Sequence, residues 1–179
     1  MKHVHLLRHA KSSWAYGGDG RPMRDFDRPL NARGRSAAPL IGAYCAKNGV
    51  TPALILCSPA ARTRETLALI APFLRHRPPV IFKDALYLAS ADRLIEEIRA
   101  APKSDKSVMV IGHNSGLEEA AYALADTETS DPPALQDLAR KFPTGALASL
   151  EFKTDLWTDV SIGSGGLTRF VTPRSIAGE

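Results

Sequence analysis

Hydrophobic residues occur in short continuous runs that alternate along the chain with longer segments of helical spacing. The runs predict strands at residues 4–7, 53–57, 80–82, 108–111, 146–152 and 168–171. The intervening segments predict helices over residues 31–47, 90–100 and 134–140, and two further helices that begin at Ser58 and Ser115. Because strands alternate with helices, we predict an α/β fold, a three-layer α/β/α sandwich around a mostly parallel central sheet.

Polar residues at the starts of three predicted helices have the chemistry of N-terminal caps. Asn31 precedes the first helix, and its side chain can accept a hydrogen bond from a free backbone N–H group. Ser58 is the expected cap of the second helix, with Pro59 in the first helical position, where no amide donor is needed. Ser115 and Glu118 have the spacing of a capping box, which predicts a helix start directly after the fourth strand.

The composition is that of an ordinary globular protein. The 179 residues are 44% hydrophobic and 23% charged, and we expect them to form one domain over residues 1–179. The net charge of +4 fits either a solvated basic surface or attraction to anionic substrates. No block of consecutive Lys and Arg indicates nucleic-acid binding, and no run approaches the roughly 20 apolar residues of a membrane span. The expected partners therefore include neither nucleic acid nor membrane.

The N-terminus and the cysteines indicate a cytoplasmic protein. Charged and imidazole side chains interrupt the first apolar run, which therefore lacks the hydrophobic region of a secretory signal. Cys45 and Cys57 have neither Cys-x-x-Cys nor metal-ligand spacing, so we expect them to be buried and reduced. Both observations favour a cytoplasmic location.

Cationic and imidazole side chains follow three of the predicted strands. Arg8 and His9 end the first strand, Arg62 comes shortly after the second, and His113 follows the fourth. Since the carboxyl ends of parallel strands meet at one edge of a sheet, we expect these four side chains to form a compact site. Two guanidinium groups and two imidazoles fit a phosphoryl group, because its transfer spreads negative charge over several oxygens.

The motifs around these residues resemble the signature of the histidine phosphatase superfamily, which implies a phosphoglycerate mutase-like fold. The resemblance rests on the strings Arg8-His9-Ala10, Ser58-Pro59 with Arg62, and Gly112-His113-Asn114. Within the superfamily, the chain is similar to the SixA-type phosphohistidine phosphatases. The segments that carry this closer likeness are residues 7–12 with Trp14, 27–31, 33–34 and 143–146.

The four side chains acquire roles in phosphoryl transfer from their chemistry and from the resemblance. Arg8 and Arg62 are the expected phosphate clamp, since a guanidinium stays charged and offers paired donors. His9 is the expected nucleophile, because a neutral imidazole can attack phosphorus when its other nitrogen is held by an acceptor. The resemblance implies a phosphohistidine intermediate at His9 and a hydrogen bond from His113 to the phosphoryl oxygens. We expect no metal or other cofactor, because the cations neutralise the charge.

Residues beside these four are candidates for substrate binding. Lys11 and Ser12 follow the expected nucleophile closely, and Asn114 adjoins the second histidine. Asp25 and Asp27 lie in an arginine-rich segment, and two interpretations of this segment stay open. Ion pairs tie the loop together in the first interpretation, whereas in the second the loop lines the pocket mouth and contacts the substrate.

One departure from the superfamily pattern concerns the leaving group. The phosphoglycerate mutase branch supplies a glutamate as general acid after the third strand, but residues 85–89 of this chain contain no carboxylate. Asp84 and Asp92 flank the segment without a clear role, so the proton donor stays unassigned. An alkoxide leaving group gains about 10²–10⁴-fold from a proton donor, whereas the less basic imidazole can leave without one. The missing glutamate therefore favours phosphohistidine over a sugar phosphate.

The sequence thus predicts a metal-independent phosphatase that hydrolyses phosphohistidine on a protein. Two alternatives stay open: a phosphomonoesterase of the same superfamily that acts on a small metabolite, and a module that binds phosphate or a phosphoprotein without catalysis. The presence of both His9 and His113 counts against the binding module, because binding alone needs only the cations. The expected partner is a phosphorylated protein or a small phosphorylated substrate, and the oligomeric state is open.

Overall fold

A six-stranded sheet lies between two layers of helices in the computed structural model, which describes residues 1–14 and 20–178. The strands are β1 (Lys2–Arg8), β2 (Leu54–Cys57), β3 (Val80–Phe82), β4 (Ser107–Gly112), β5 (Leu147–Phe152) and β6 (Gly165–Val171). The helices are α1 (Ala32–Lys47), α2 (Ala61–Ile70), α3 (Ala91–Arg99), α4 (Gly116–Leu124), α5 (Pro132–Arg140) and α6 (Pro173–Ala177). Every predicted strand is present, whereas the hydrophobic spacing does not predict α6. None of the helices in the described part of the chain is long and apolar enough to cross a membrane.

The sheet has the strand order β3-β2-β4-β1-β5-β6. β1 and β2 pair with β4 in parallel, β3 pairs with β2 in parallel, and β5 runs antiparallel to both β1 and β6. β2 and β4 are buried along their whole length because helices cover both faces of the sheet. This burial explains why their sequences are continuous apolar runs, and the predicted mostly parallel sheet is confirmed.

Alternate residues of β1 face two separate hydrophobic cores. Leu6 belongs to the core beneath α3, α4 and α5, and Leu7 belongs to the core beneath α1 and α2. Successive side chains of a strand point to opposite faces, so each face of the sheet needs its own layer of helices. Burying each such leucine contributes about 1.5–3 kcal/mol relative to leaving it exposed. The predicted three-layer sandwich is therefore confirmed.

The start of α1 packs tightly against the segment that follows β1. Asn31 caps the helix as predicted, and its Oδ1 accepts a hydrogen bond from the Gly34 backbone N–H at 2.9 Å. The Asn31 backbone N–H donates to the carbonyl oxygen of Lys11 at 3.0 Å. A β-carbon added to Gly34 would lie 2.1 Å from the same oxygen, so only glycine permits this approach. α1 thereby holds the backbone close to His9.

We expect Gly34→Ala to lower the free energy of unfolding by roughly 2–3 kcal/mol, because the new methyl group would overlap a backbone carbonyl that cannot rotate away. Urea denaturation measures the loss. Gly112→Ala is the matched control, since its added β-carbon would come no closer than 3.7 Å to Leu117. Equal stability of the two variants would contradict the close packing of α1.

The predicted cap of α2 is wrong. α2 begins at Ala61 with Ala60 as its N-cap, so Pro59 precedes the helix and does not occupy its first position. The Ser58 hydroxyl lies 2.7 Å from His113 Nε2, across the sheet edge. The serine therefore contributes its hydroxyl to the candidate site, and toward the helix that hydroxyl accepts only a long hydrogen bond, 3.5 Å, from the Ala60 N–H.

The predicted capping box of α4 is also wrong. The helix begins at Gly116, and the Ser115 side chain makes no capping hydrogen bond. Glu118, the other half of the expected box, accepts a hydrogen bond from Asn114 Nδ2 at 2.7 Å. Ser115 has helical backbone angles, φ −82° and ψ −17°, instead of the extended conformation of a capping residue, which explains why the box does not form.

Both cysteines are buried, free thiols, as predicted. Cys45 lies in the core beneath α1 and Cys57 at the end of β2. Burial raises the pKa of Cys45 to about 11 and that of Cys57 to about 12. Because the thiolate is the reactive form, neither residue is a nucleophile near neutral pH.

Candidate active site

The carboxyl ends of β1, β2 and β4 bring the predicted catalytic side chains together. Arg62 Nε lies 3.2 Å from His9 Nε2, and the rings of His9 and His113 are 5.4 Å apart between centroids. Arg8 is the last residue of β1 and directly precedes His9, and burial together with the charges of Arg62 and Arg8 lowers the pKa of His9. The described structure thus joins all four residues in one cluster at the expected sheet edge.

His9 is held as a neutral imidazole whose one ring lone pair, on Nε2, faces Arg62. Its Nδ1 lies 2.7 Å from the carbonyl oxygen of Ala10, which can only accept, so Nδ1 carries the proton and donates. Its Nε2 accepts a hydrogen bond from Arg62 Nε. The side chain is buried, and burial together with the neighbouring positive charges lowers its pKa to about 4, although the Ala10 carbonyl opposes the shift. Nε2 is therefore a nitrogen nucleophile beside a cation.

His113 presents one held and one unpartnered ring nitrogen. Its Nε2 is 2.7 Å from the Ser58 hydroxyl, and the Tyr87 ring meets the imidazole edge-on at 5.5 Å between centroids. Its Nδ1 is buried and has no hydrogen-bond partner among the described residues. Burial, reinforced by the charge of Arg62, lowers the pKa of His113 to about 3. The unpartnered nitrogen is free to bind a ligand atom.

Each of the three nitrogens of the Arg62 guanidinium already donates a hydrogen bond. Besides the contact with His9, Nη1 donates to the Asp25 carbonyl oxygen at 2.6 Å and Nη2 donates to Asp25 Oδ2 at 2.9 Å. Arg62 is only 3% exposed and lies in the first turn of α2, where the helix dipole also favours an anion. The Asp25 carboxylate thus occupies donors that a phosphoryl group would need.

Asp25 is an ionised carboxylate at the mouth of the cluster. Besides Arg62, it accepts hydrogen bonds from the Tyr87 hydroxyl at 2.6 Å and from Arg28 Nη1 at 2.8 Å. Burial alone would raise its pKa, but hydrogen bonds from these three donors lower the pKa to about 2. Asp27 instead pairs with Arg24, 2.7 Å away. Ion pairs therefore hold the segment, as in the first interpretation, and Asp25 lies at the site; contact of this loop with the substrate stays a prediction.

Arg8 and Asn114 share the carbonyl oxygen of Phe142. Arg8 Nη1 donates to this oxygen at 2.7 Å, and Asn114 Nδ2 donates to it at 3.1 Å. Arg8 Nε and Asn114 Oδ1 are buried without hydrogen-bond partners among the described residues. Both side chains are therefore oriented by the backbone and retain unused polar atoms.

The two other candidates for substrate binding lie at the margin of the cluster. The Ser12 hydroxyl is buried and accepts a hydrogen bond from Arg28 Nη2 at 2.9 Å. Lys11 is exposed, and its side chain lines a groove outside the cluster together with Arg33 and Arg174. Only Ser12 is thus linked to the site, through the arginine that also holds Asp25.

Sequence reasoning misses three contributors to the cluster. The sequence suggests a helix cap at Ser58, and no sequence pattern marks the Phe142 carbonyl. Tyr87 lies in the segment that lacks the superfamily glutamate. A search of that segment for any polar side chain, and not only for a carboxylate, could find the tyrosine. Asp84 and Asp92, which flank it, are exposed. In the described part of the chain, no group of three or more His, Cys, Asp and Glu could hold a metal ion.

We expect the His9 imidazole to titrate near pH 4, because burial and two adjacent guanidinium groups disfavour its charged form. The neutral nucleophile is then present above about pH 4 and is lost as the pH falls through that value. Two-dimensional ¹H–¹³C NMR of the ring resonances, assigned with a His9→Gln variant, measures the midpoint against a free acetylhistidine amide reference. A midpoint equal to that of the reference would contradict the burial of His9 beside two guanidinium groups.

Comparison with known proteins gives the family of the chain. A family model described as the histidine phosphatase superfamily (branch 1) matches residues 4–87, which include Arg8, His9 and Arg62. An uncharacterized protein of Mycobacterium tuberculosis is 33% identical over 168 residues, which cover 94% of this chain and 100% of that protein. The similarity therefore extends well beyond the segment that the family model matches.

Two solved structures are similar over nearly the whole chain. One is a candidate phosphohistidine phosphatase SixA from Agrobacterium tumefaciens, 31% identical, with a TM-score of 0.76 over 96% of this chain and 98% of that one. The other, also a candidate SixA, is from Nakamurella multipartitia, 29% identical, with a TM-score of 0.81 over 96% of each chain. The chain therefore belongs to the histidine phosphatase superfamily, in its SixA-type branch, and is a phosphatase.

Proposed function

We propose that the chain hydrolyses phosphohistidine on a protein, through a covalent phosphohistidine intermediate at His9 and without a metal ion. The observation that carries the proposal is the state of His9. Its Nδ1–H is held by the Ala10 carbonyl, so the lone pair of Nε2 points into a cluster of cations. A module that only binds phosphate has no need of a neutral imidazole there, because a cation would attract the anion better.

In the first step, the hydrogen bond from Arg62 Nε to His9 Nε2 is released, and the freed lone pair attacks the phosphorus. An N–P bond forms as the N–P bond of the substrate breaks. The substrate imidazole leaves as a neutral ring when its other nitrogen carries a proton. Phosphoryl oxygens replace the Asp25 carboxylate on Arg62, and Arg8 supplies the second guanidinium. Positioning and charge neutralisation of this kind provide most of the catalysis in phosphoryl transfer.

In the second step, a water molecule attacks the phosphorus of the His9 phosphoramidate. The N–P bond breaks, its electron pair returns to His9 Nε2, and the water oxygen leaves on inorganic phosphate with its protons. The unpartnered Nδ1 of His113 is available to bind a phosphoryl oxygen in both steps. The enzyme thereby returns to the neutral tautomer from which it started.

The ionisation of the residues at the site mouth supports a phosphoramidate substrate over a phosphate ester. The pKa of Asp25 is about 2, so its carboxyl carries no proton to donate at neutral pH. Burial, together with the hydrogen bond to Asp25, raises the pKa of the Tyr87 hydroxyl, which makes it a poor acid. An alkoxide leaving group would lack a strong proton donor, whereas an imidazole does not need one. The names of the two solved relatives agree with this substrate class.

Phosphate release from a phosphohistidine-bearing protein tests the proposal, with glycerol phosphate and 3-phosphoglycerate as competing esters and a metal chelator present throughout. We expect rapid, chelator-resistant release from the phosphoprotein and little from the esters. Equal or faster hydrolysis of an ester would keep the superfamily but make the protein a metabolite phosphatase. Binding of the phosphoprotein without turnover would favour the non-catalytic module.

A further inference from the structure

A groove of about 760 Å³ lies between α1 and α6, outside the cluster around His9. It has both an apolar and a cationic lining. Leu40 and Pro173 contribute apolar surface, and Lys11, Arg33 and Arg174 contribute positive charge. We call this surface the basic groove. Its size far exceeds that of a phosphoryl group, so it suits a length of polypeptide better than a small anion.

The cations of the basic groove are not neutralised by the described part of the chain. Lys11, Arg33 and Arg174 are exposed, and no acidic side chain of the described residues lines the groove. The neighbouring Arg35 differs, because it pairs with Glu65 at 3.2 Å. Like charges concentrated along one concave surface attract an anionic partner and raise its rate of association.

The groove begins at the backbone of the candidate site. Lys11 follows His9 by two residues, so their α-carbons are at most about 7 Å apart. Thr144 also lines the groove, and the next residue, Gly145, donates its N–H to the His9 carbonyl oxygen at 2.9 Å. The groove and the nucleophile therefore adjoin along the backbone, at a separation that a few residues of a bound polypeptide can span.

We propose that the basic groove binds an acidic segment of the phosphorylated protein substrate, next to the residue that is dephosphorylated. Glutamate or aspartate side chains of that segment pair with Lys11, Arg33 and Arg174, while its apolar residues pack on Leu40 and Pro173. This inference rests on the proposed function and deepens it, since it specifies which phosphohistidine proteins are preferred.

Two synthetic phosphohistidine peptides test the groove, one with glutamate and one with glutamine flanks. Wild type is expected to show a KM roughly five- to tenfold lower for the glutamate peptide, with similar kcat, because exposed ion pairs each contribute modestly. In the double variant Arg33→Glu/Arg174→Glu this preference disappears, while turnover of phosphoimidazole, which is too small to reach the groove, is unchanged. High salt should also reduce the preference of wild type.

Arg75→Glu/Arg77→Glu is the matched control. It makes the same change in net charge, but both residues are exposed and precede β3, at the sheet edge opposite the site. The inference is wrong if wild type does not prefer the glutamate peptide, if the control loses the preference equally, or if the groove variant also fails on phosphoimidazole.

A binding measurement separates failure of the groove from failure of the proposed function. Fluorescence anisotropy with an unphosphorylated, fluorescein-labelled glutamate peptide needs no turnover. We expect wild type and the control variant to bind the peptide at least fivefold more tightly than the groove variant. If neither phosphopeptide is hydrolysed, the proposed function is wrong, and the anisotropy result still decides whether the groove binds acidic polypeptide.

Discussion

His9→Ala is expected to lower phosphate release from a phosphohistidine substrate by roughly 10³-fold or more, since it removes the atom that receives the phosphoryl group. The same change should abolish covalent incorporation of radiolabelled phosphate into the protein. Rapid quenching followed by gel separation at alkaline pH, where phosphohistidine persists, measures the label. The effect is large because the remaining cations can bind the phosphoryl group but cannot form a bond to it.

His3→Ala is the matched control for this prediction. It removes an imidazole from the same strand, at the end remote from the carboxyl edge. Its turnover and labelling should equal those of wild type. Label that persists in His9→Ala would assign the nucleophile to another residue, with His113 the next to test because its Nδ1 is unpartnered.

Arg62→Lys is expected to lower kcat/KM by about 10²–10³-fold, although the positive charge is retained. An ammonium group cannot offer a planar, paired fork to phosphoryl oxygens, whereas the guanidinium can once its Nη2 is released by the Asp25 carboxylate. Steady-state kinetics on the phosphohistidine substrate, together with the inhibition constant of inorganic phosphate, measure the change. The kcat/KM should fall and the inhibition constant of phosphate should rise, because the same donors bind substrate and product.

Arg35→Lys serves as the control for Arg62, since Arg35 also bonds a carboxylate but lies on the surface of α1. Its kinetics should be unchanged. Full activity of Arg62→Lys would show that charge alone suffices at this position, and the clamp would then depend on Arg8. Thermal unfolding of both variants distinguishes lost binding from lost folding, because Arg62 is buried and Arg35 is exposed.

The roles of the substrate-binding candidates follow less directly from their positions in the sequence. Ser12 and Asn114 lie at the cluster through hydrogen bonds to Arg28 and to the Phe142 carbonyl. Proximity in sequence to the nucleophile favours Lys11 as well. The chain turns after β1, however, and the start of α1 packs against the Lys11 backbone. The lysine lines the basic groove, and its contact with substrate stays a prediction.

The sequence by itself determined the layers of the fold and the meeting of its four main catalytic candidates. Continuous apolar runs and helical spacing depend on local periodicity, which is readable without tertiary contacts. A single topological rule brings Arg8, His9, Arg62 and His113 to one edge, because they lie at or after the carboxyl ends of the parallel strands β1, β2 and β4. That prediction needs no knowledge of side-chain orientation.

Only the tertiary structure decided which polar side chains became partners. Ser58 has the chemistry of a helix cap but bonds His113, and Tyr87 bonds Asp25, which lies 62 residues away in the chain. The alternatives for each group differ by about 1 kcal/mol, as for a helix cap, so local sequence does not select among them. The packing of distant loops determines which acceptor is within reach, and that information is spread over the whole chain.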